Sequence, residues 1–218
     1  QETDVDPQTI DASDGDKYLH WIRWRADHFT QVLRDLRKGL EPIEAEKGHR
    51  VPITVRIPSS GLLYNLAQGL DVERWVKEGL VDQLQLDPLE TWGGRGSHDV
   101  RPYVELCHRR GITVIGGVGA TWTNAAGRTA ALRRALGLLE AGVDGIEVYE
   151  AELQAKCSDR RWALPMFGNA RRLRLYLSES NQESVYPVTA STAPFGHDNH
   201  SRWDDADFSI YGKGASAL

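Results

Sequence analysis

Several features that mark common protein classes are scarce in this chain of 218 residues. It has two cysteines, Cys107 and Cys157, whose spacing fits no metal site, and we expect both to be free thiols. No apolar run approaches the length of a transmembrane helix, no signal peptide is visible, and no membrane partner is predicted. Because the chain opens with Gln1 instead of Met, we expect its natural amino terminus to lie elsewhere. A net charge of −5 argues against nucleic acid as the main partner.

The motifs of common cofactor enzymes are also missing. No GxGxxG or Walker-type loop follows a predicted strand, so no nucleotide and no other cofactor is predicted. No lysine stands at the carboxyl end of a predicted strand, which argues against Schiff-base chemistry. His197, Asp198 and His200 are candidate metal ligands, but their polar surroundings favour a solvated loop, and no metal is predicted.

A repeated helix–glycine–strand pattern is what the sequence does contain. In residues 69–87, Asp71 is the expected N-cap of a helix, Gly79 ends that helix in a left-handed conformation, and a strand follows. The pattern returns in residues 138–150 and, without the final acid, in residues 103–116. Helices and strands that alternate with such short turns indicate a parallel sheet.

The predicted fold class is α/β, with a parallel (β/α) barrel of which four strand–helix units are present. We predict an acidic loop at residues 1–17, the half barrel at 18–178, and a linker with an irregular or β-type tail at 179–218. Gly39 and Pro42 are expected to end the first helix, which starts near Tyr18. Strands are expected at residues 51–57, around 84–86, at 112–118 and at 145–149. Four units make half of an eight-stranded TIM barrel, and a small open sheet is the alternative.

The first, second and fourth predicted strands alternate apolar and polar side chains, which places the polar ones on one face of the sheet. Barrel enzymes carry their active sites at the carboxyl ends of the strands. Two carboxylates there suit glycoside hydrolysis, so Asp87 and Glu147 are the predicted catalytic pair. The predicted substrate-binding residues are Arg56, Gln85, Trp92, Trp122, Tyr149 and Glu150. Two alternatives remain: Glu147 is a structural acid paired with Arg56, and both tryptophans only pack their loops.

Five segments together resemble a known family. The helix segment LHWIRWRAD (residues 19–27), the segments VRIP (55–58), GLDVERWV (69–76) and GLVD (79–82), and AGVDGI (141–146) are similar to the family 10-like glycosyl hydrolases, bacterial (β/α)8-barrel proteins. The resemblance covers about residues 18–177. It implies that the chain holds strands five to eight, and that the missing amino-terminal half is its partner. It also implies a carbohydrate substrate and an exported, periplasmic or extracellular protein.

The resemblance supplies no catalytic residue. In the wider group of glycosidase barrels the general acid follows strand four and the nucleophile ends strand seven, but the corresponding strand here ends in Gly116, Gly117 and Gly119. Asp87 and Glu147 therefore rest on strand geometry alone. Besides the glycosidase, two hypotheses stay open: a non-catalytic carbohydrate-binding or structural half barrel, and a metabolic barrel enzyme of the aldolase or isomerase type.

Overall fold

The computed structural model describes residues 15–87, 99–119, 125–149 and 163–179. None of the helices in these ranges is long and apolar enough to cross a membrane. In chain order the elements are α1 (Gly15–Lys47), β1 (Thr54–Pro58), α2 (Leu62–Ala67), α3 (Val72–Glu78), β2 (Gln83–Asp87), α4 (Arg101–His108), β3 (Thr113–Gly119), α5 (Ala125–Glu140), β4 (Gly145–Tyr149), a 3-10 turn (Leu164–Met166) and α6 (Ala170–Glu179). They fall into two compact units: a helical unit within residues 15–53 and 62–82, and a sheet unit within residues 54–61 and 83–179.

The sheet unit contains four parallel strands in the order β1-β2-β3-β4. This confirms the predicted α/β class and the predicted order of adjacent parallel strands. Strand β4 has the predicted bounds, and the other three lie within a few residues of the predicted positions.

One face of this sheet is apolar and closely covered. Leu84 and Leu86 of β2 and Val114 and Val118 of β3 are buried there. Gly116 lies on the same face, where a Cβ atom would be only 3.0 Å from the Leu138 side chain of α5. Helix α5 therefore packs almost directly on the backbone of β3.

The helical unit is organised around Trp75 of α3. The Trp75 side chain is fully buried, and its indole N–H donates to the Thr30 hydroxyl of α1 over 2.9 Å. Phe29 of α1 lies against the same ring, with 5.4 Å between ring centroids. Ile22 and Leu33 extend the buried side of α1. A buried indole with a satisfied N–H anchors the short α3 to the long α1.

Helix α3 forms as its sequence predicts. The Asp71 carboxylate accepts from the Arg74 N–H, and Gly79 ends the helix with φ 67°. Both ends are thus determined by residues within the segment itself.

Helix α1 is longer than predicted at both ends. It continues through Gly39 and Pro42 and ends at Lys47, where Gly48 takes φ 70°. A proline removes one helical hydrogen bond, but the helix-forming residues after it and a tertiary anchor outweigh that loss. The anchor is Glu44, whose carboxylate accepts from the Val51 N–H and from Arg37.

Two aspartates join neighbouring strands at their amino ends. Asp82, just before β2, accepts from the Ile53 N–H over 2.7 Å and donates its own N–H to the Ile53 carbonyl. Asp144, just before β4, does the same with Val114 over 2.7 Å. Both residues belong to the repeat found in the sequence, which predicted the turn but not this role.

These aspartates are also held by basic side chains. Desolvation opposes ionisation of Asp82, but the Ile53 N–H, Arg37 and Arg50 together hold its pKa below the ordinary value. Asp144 is likewise desolvated, and the Val114 N–H and His108 hold its pKa below the ordinary value. The amino ends of β2 and β4 therefore carry carboxylates that are each held by a main-chain N–H and by basic side chains.

Candidate active site

The strand register brings the two predicted catalytic carboxylates to one level of the sheet. Leu86 of β2 pairs with Gly116 of β3, so Asp87 is level with Gly117, and Gly117 pairs with Glu147 of β4. Side chains in register on parallel strands share a face. Asp87 and Glu147 thus lie on the polar face with one strand between them. Strand β4 starts level with Ile115 of β3, and this brings Glu147, the middle residue of β4, level with Asp87, the last residue of β2.

Asp87 is buried and ionically paired. Only 5 % of the residue is exposed, and Oδ2 contacts Nη2 of Arg56 on the neighbouring strand β1. Arg56 is level with Gln85, two residues before Asp87, so its side chain reaches along the polar face towards the carboxyl end. A guanidinium at this position stabilises the ionised form of the Asp87 carboxylate.

The Arg56 guanidinium also lies over the ring of Tyr149, with 4.5 Å between its central carbon and the ring centroid. Tyr149 is on β4, three strands away from β1. On β3 the positions level with Glu147 and Tyr149 are Gly117 and Gly119, which have no side chains to separate the two groups. The glycines of β3 permit this contact.

Glu147 differs from Asp87 in its surroundings. Its Oε2 atom is buried and has no hydrogen-bond partner within the described residues. The ion pair of Arg56 is with Asp87. The alternative that Glu147 is a structural acid paired with Arg56 is therefore wrong. A buried carboxylate oxygen without a donor is unusual, and such atoms occur often at functional sites.

Gln85 lies on the same polar face and is half-buried. The remaining predicted binding residues, Trp92, Trp122 and Glu150, lie outside the described residues, as does Cys157. The candidate metal ligands of the tail, His197, Asp198 and His200, also lie outside them. The site therefore comprises Arg56, Gln85, Asp87, Glu147 and Tyr149.

A buried polar turn after β1 was missed in the sequence. Ser59 and Ser60 are both buried, the Ser59 N–H donates to the Asp87 carbonyl over 2.9 Å, and the Ser60 hydroxyl has no partner among the described residues. Tyr103 of α4 accepts from the Gly61 N–H and donates to the Pro58 carbonyl. Two serines and a glycine directly after a strand were the available signal, since barrel chemistry occurs at that end.

Metal-dependent chemistry and nucleophilic attack by a cysteine have less support in the described ranges. They contain no group of three or more His, Cys, Asp or Glu side chains that could hold a metal ion. Burial, together with the nearby Asp144 charge, raises the pKa of the Cys107 thiol to about 12. A thiol in that state is a poor nucleophile at neutral pH.

No family model and no curated protein matches this chain. The chemistry that the site can perform therefore follows from its geometry. A paired, anionic carboxylate and a second carboxylate with an open hydrogen-bonding position can act as two different partners in proton transfer.

Proposed function

We propose that the chain is the second half of a (β/α) barrel related to the family 10-like glycosyl hydrolases, and that it acts on poly- or oligosaccharides. Four parallel strands in chain order, with polar side chains on one face, support the barrel. Within the described residues β1 and β4 each pair on one side, which leaves their other edges for further strand–helix units.

The observation that carries this proposal is the shared level of Asp87 and Glu147 on the polar face. Parallel strands are about 4.8 Å apart, so the two backbones are separated by roughly 10 Å across β3. Side chains that lean towards each other from these backbones can bring the two carboxyl groups to the separation found in glycosidases, about 5 to 9.5 Å.

The surroundings of the two groups favour different roles. Asp87, whose negative charge is matched by Arg56, is the nucleophile or the base. Glu147, whose Oε2 has an open hydrogen-bonding position, transfers the proton to the departing glycosidic oxygen. Tyr149 and Gln85 border the pair and bind the sugar.

A non-catalytic carbohydrate-binding module is the second candidate. The observation that favours it is that the buried Asp87 carboxylate already has an ion-pair partner in Arg56. The Arg56 guanidinium is itself held over the ring of Tyr149. In this case the pair stabilises the carboxyl end of the sheet, and the sugar is bound without cleavage.

The test is hydrolysis of a panel of oligosaccharides by the full-length protein and by three variants. Glu147→Gln and Asp87→Asn should each lower the hydrolysis rate by a factor of about 100 or more, because each removes one of two groups that act in the transition state. Glu105→Gln is the matched control, since Glu105 is an exposed acid on α4, and its rate should equal that of the wild type.

Two results separate the candidates. Circular dichroism and urea unfolding must show that the site variants remain folded. Wild-type rates in both site variants would rule out the catalytic pair, and sugar binding without hydrolysis in the wild type would favour the binding module.

A further inference from the structure

The side chain of Arg56 links the two outer strands of the described sheet. The register places Arg56 of β1 level with Gly145 of β4, and Tyr149 lies four residues further along. In a flat sheet the two positions would be about 14 Å apart across the strands and about 13 Å apart along them. An arginine and a tyrosine side chain together are shorter than that diagonal. The observed contact of 4.5 Å therefore requires the strands to curl until the polar sides of β1 and β4 approach each other.

The guanidinium meets its two partners through different atoms. Its central carbon lies over the ring of Tyr149, while its Nη2 atom contacts the carboxylate of Asp87. Both contacts are therefore made in one conformation of Arg56. The Arg56 side chain is 37 % exposed, and a long side chain of this kind loses rotamer freedom when it is held in one place. The ring supplies an attraction that offsets this loss.

A second carboxylate lies close to the same guanidinium. Glu147 and Tyr149 are two residues apart on β4, so their side chains share the polar face. An arginine that reaches the Tyr149 ring also comes near Glu147, and attraction between opposite charges would draw it towards both acids. The ion pair is nevertheless with Asp87, and the Oε2 atom of Glu147 has no hydrogen-bond partner within the described residues.

We propose that Tyr149 is a positioning residue, whose ring holds the Arg56 guanidinium at Asp87. One acid of the pair is thereby ionically matched, and the other keeps its open hydrogen-bonding position. The use of this arrangement in catalysis rests on the function proposed above. The role of Tyr149 adds to that function the side chain that keeps the two carboxylates in different surroundings.

Urea unfolding of a double-mutant cycle tests the positioning without any substrate. Tyr149→Leu should raise the unfolding equilibrium constant at least about twofold more in the wild-type background than in the Asp87→Asn background, because the ring supports an ion pair that Asp87→Asn removes. The contact between Arg56 and the ring is present in both backgrounds, so its own contribution cancels.

Two further variants serve as controls in the same cycle. Tyr149→Phe keeps the aromatic face and should give a coupling factor near one with Asp87→Asn. Tyr176→Leu removes another half-buried tyrosine, which lies on α6 outside the sheet, and it should also give a factor near one. Circular dichroism of each variant checks that it remains folded.

Hydrolysis by the full-length protein tests whether the positioning serves catalysis. Tyr149→Leu should lower kcat by about tenfold or more, because small displacements of a positioned group are costly in the transition state. Tyr149→Phe should retain most of the wild-type kcat. A rise in KM with kcat unchanged in Tyr149→Leu would show that Tyr149 binds the sugar and does not position Arg56 for catalysis.

The failure of the positioning role differs from the failure of the proposed function. A wild type that hydrolyses no oligosaccharide would count against the proposed function, and the coupling between Tyr149 and Asp87 would still decide the positioning. A coupling factor of one for Tyr149→Leu, or a loss of kcat in Tyr149→Phe as large as that in Tyr149→Leu, would overturn the role of Tyr149.

Discussion

Asp144, just before β4, and Glu147, the middle residue of β4, are three residues apart, and their carboxylates are in opposite situations. Asp144 accepts from the Val114 N–H and is paired with His108. Glu147 has a buried oxygen without a partner among the described residues. The start of the strand thus uses its acid to hold the sheet together, while Glu147, level with the carboxyl end of β2, keeps unused hydrogen-bonding capacity.

This difference follows the general division in parallel α/β folds, where one end of the sheet provides stability and the other chemistry. A bound carboxylate lowers the free energy of the folded state. An unsatisfied one raises it and is retained where it serves a ligand. Stability measurements on variants of these acids therefore test this difference.

The largest expected effect is at Asp82, the counterpart of Asp144 in the helical unit. Asp82→Ala removes the acceptor of the Ile53 N–H and the partner of Arg37 and Arg50. We expect the free energy of unfolding to fall by about 3 kcal/mol, since a half-buried donor and two cations lose their partner. Urea unfolding measures this, with Glu105→Ala as the control. A loss as small as that of the control would show that Asp82 is not a structural acid.

A smaller loss is expected at Asp144. Asp144→Ala should lower the free energy of unfolding by about 1 to 2 kcal/mol, because the Val114 N–H loses its acceptor but the site is more exposed and has one side-chain partner, His108. Urea unfolding again provides the value. A larger effect than at Asp82 would reverse the order inferred from the number of contacts.

Lowering the pH should remove the stabilisation that the carboxylates of Asp82 and Asp144 provide. The pKa values of Asp82 and Asp144 are lower in the folded chain than their ordinary value of 3.8. Their stabilisation is therefore complete above about pH 4, and it is lost as the pH falls through the folded pKa. Asp82→Asn should flatten the decline of stability below pH 4 relative to the wild type. An unchanged acid profile would mean that the folded and unfolded pKa values are equal.

The smallest effect is expected at Glu147. Glu147→Gln should change the free energy of unfolding by less than about 0.5 kcal/mol, because no hydrogen bond of Oε2 is lost within the described residues. Urea unfolding of this variant beside Asp144→Asn completes the comparison. If Glu147→Gln costs as much as Asp144→Asn, the two acids do not differ in their contribution to stability.

Much of the fold could be predicted because its signals are local. Asp71 and Gly79 set the ends of α3 from within one segment, and the short turns before β2 and β4 indicate parallel strands. The end of α1 could not be predicted, since the bond between Glu44 and Val51 that supports its last turn depends on the path of the following chain.

The sequence predicted which residues form the site, but not which of them contact one another. Alternation along each strand placed Arg56, Asp87 and Glu147 on one face. Which acid Arg56 pairs with depends on the register of β1 against β2, and no pattern within either strand gives that register. Ser60 was missed because its burial arises from the surrounding chain rather than from its own segment.

The aspartate bonds also divide the sheet into pairs. Asp82 joins the starts of β1 and β2, Asp144 joins those of β3 and β4, and between β2 and β3 the corresponding position is occupied by the apolar Ile112. The sheet is thus two bonded strand pairs that meet at a ladder held by main-chain bonds and packing. We therefore expect the sheet to separate first at this central ladder, and hydrogen exchange should show its amides exchanging ahead of those within either pair.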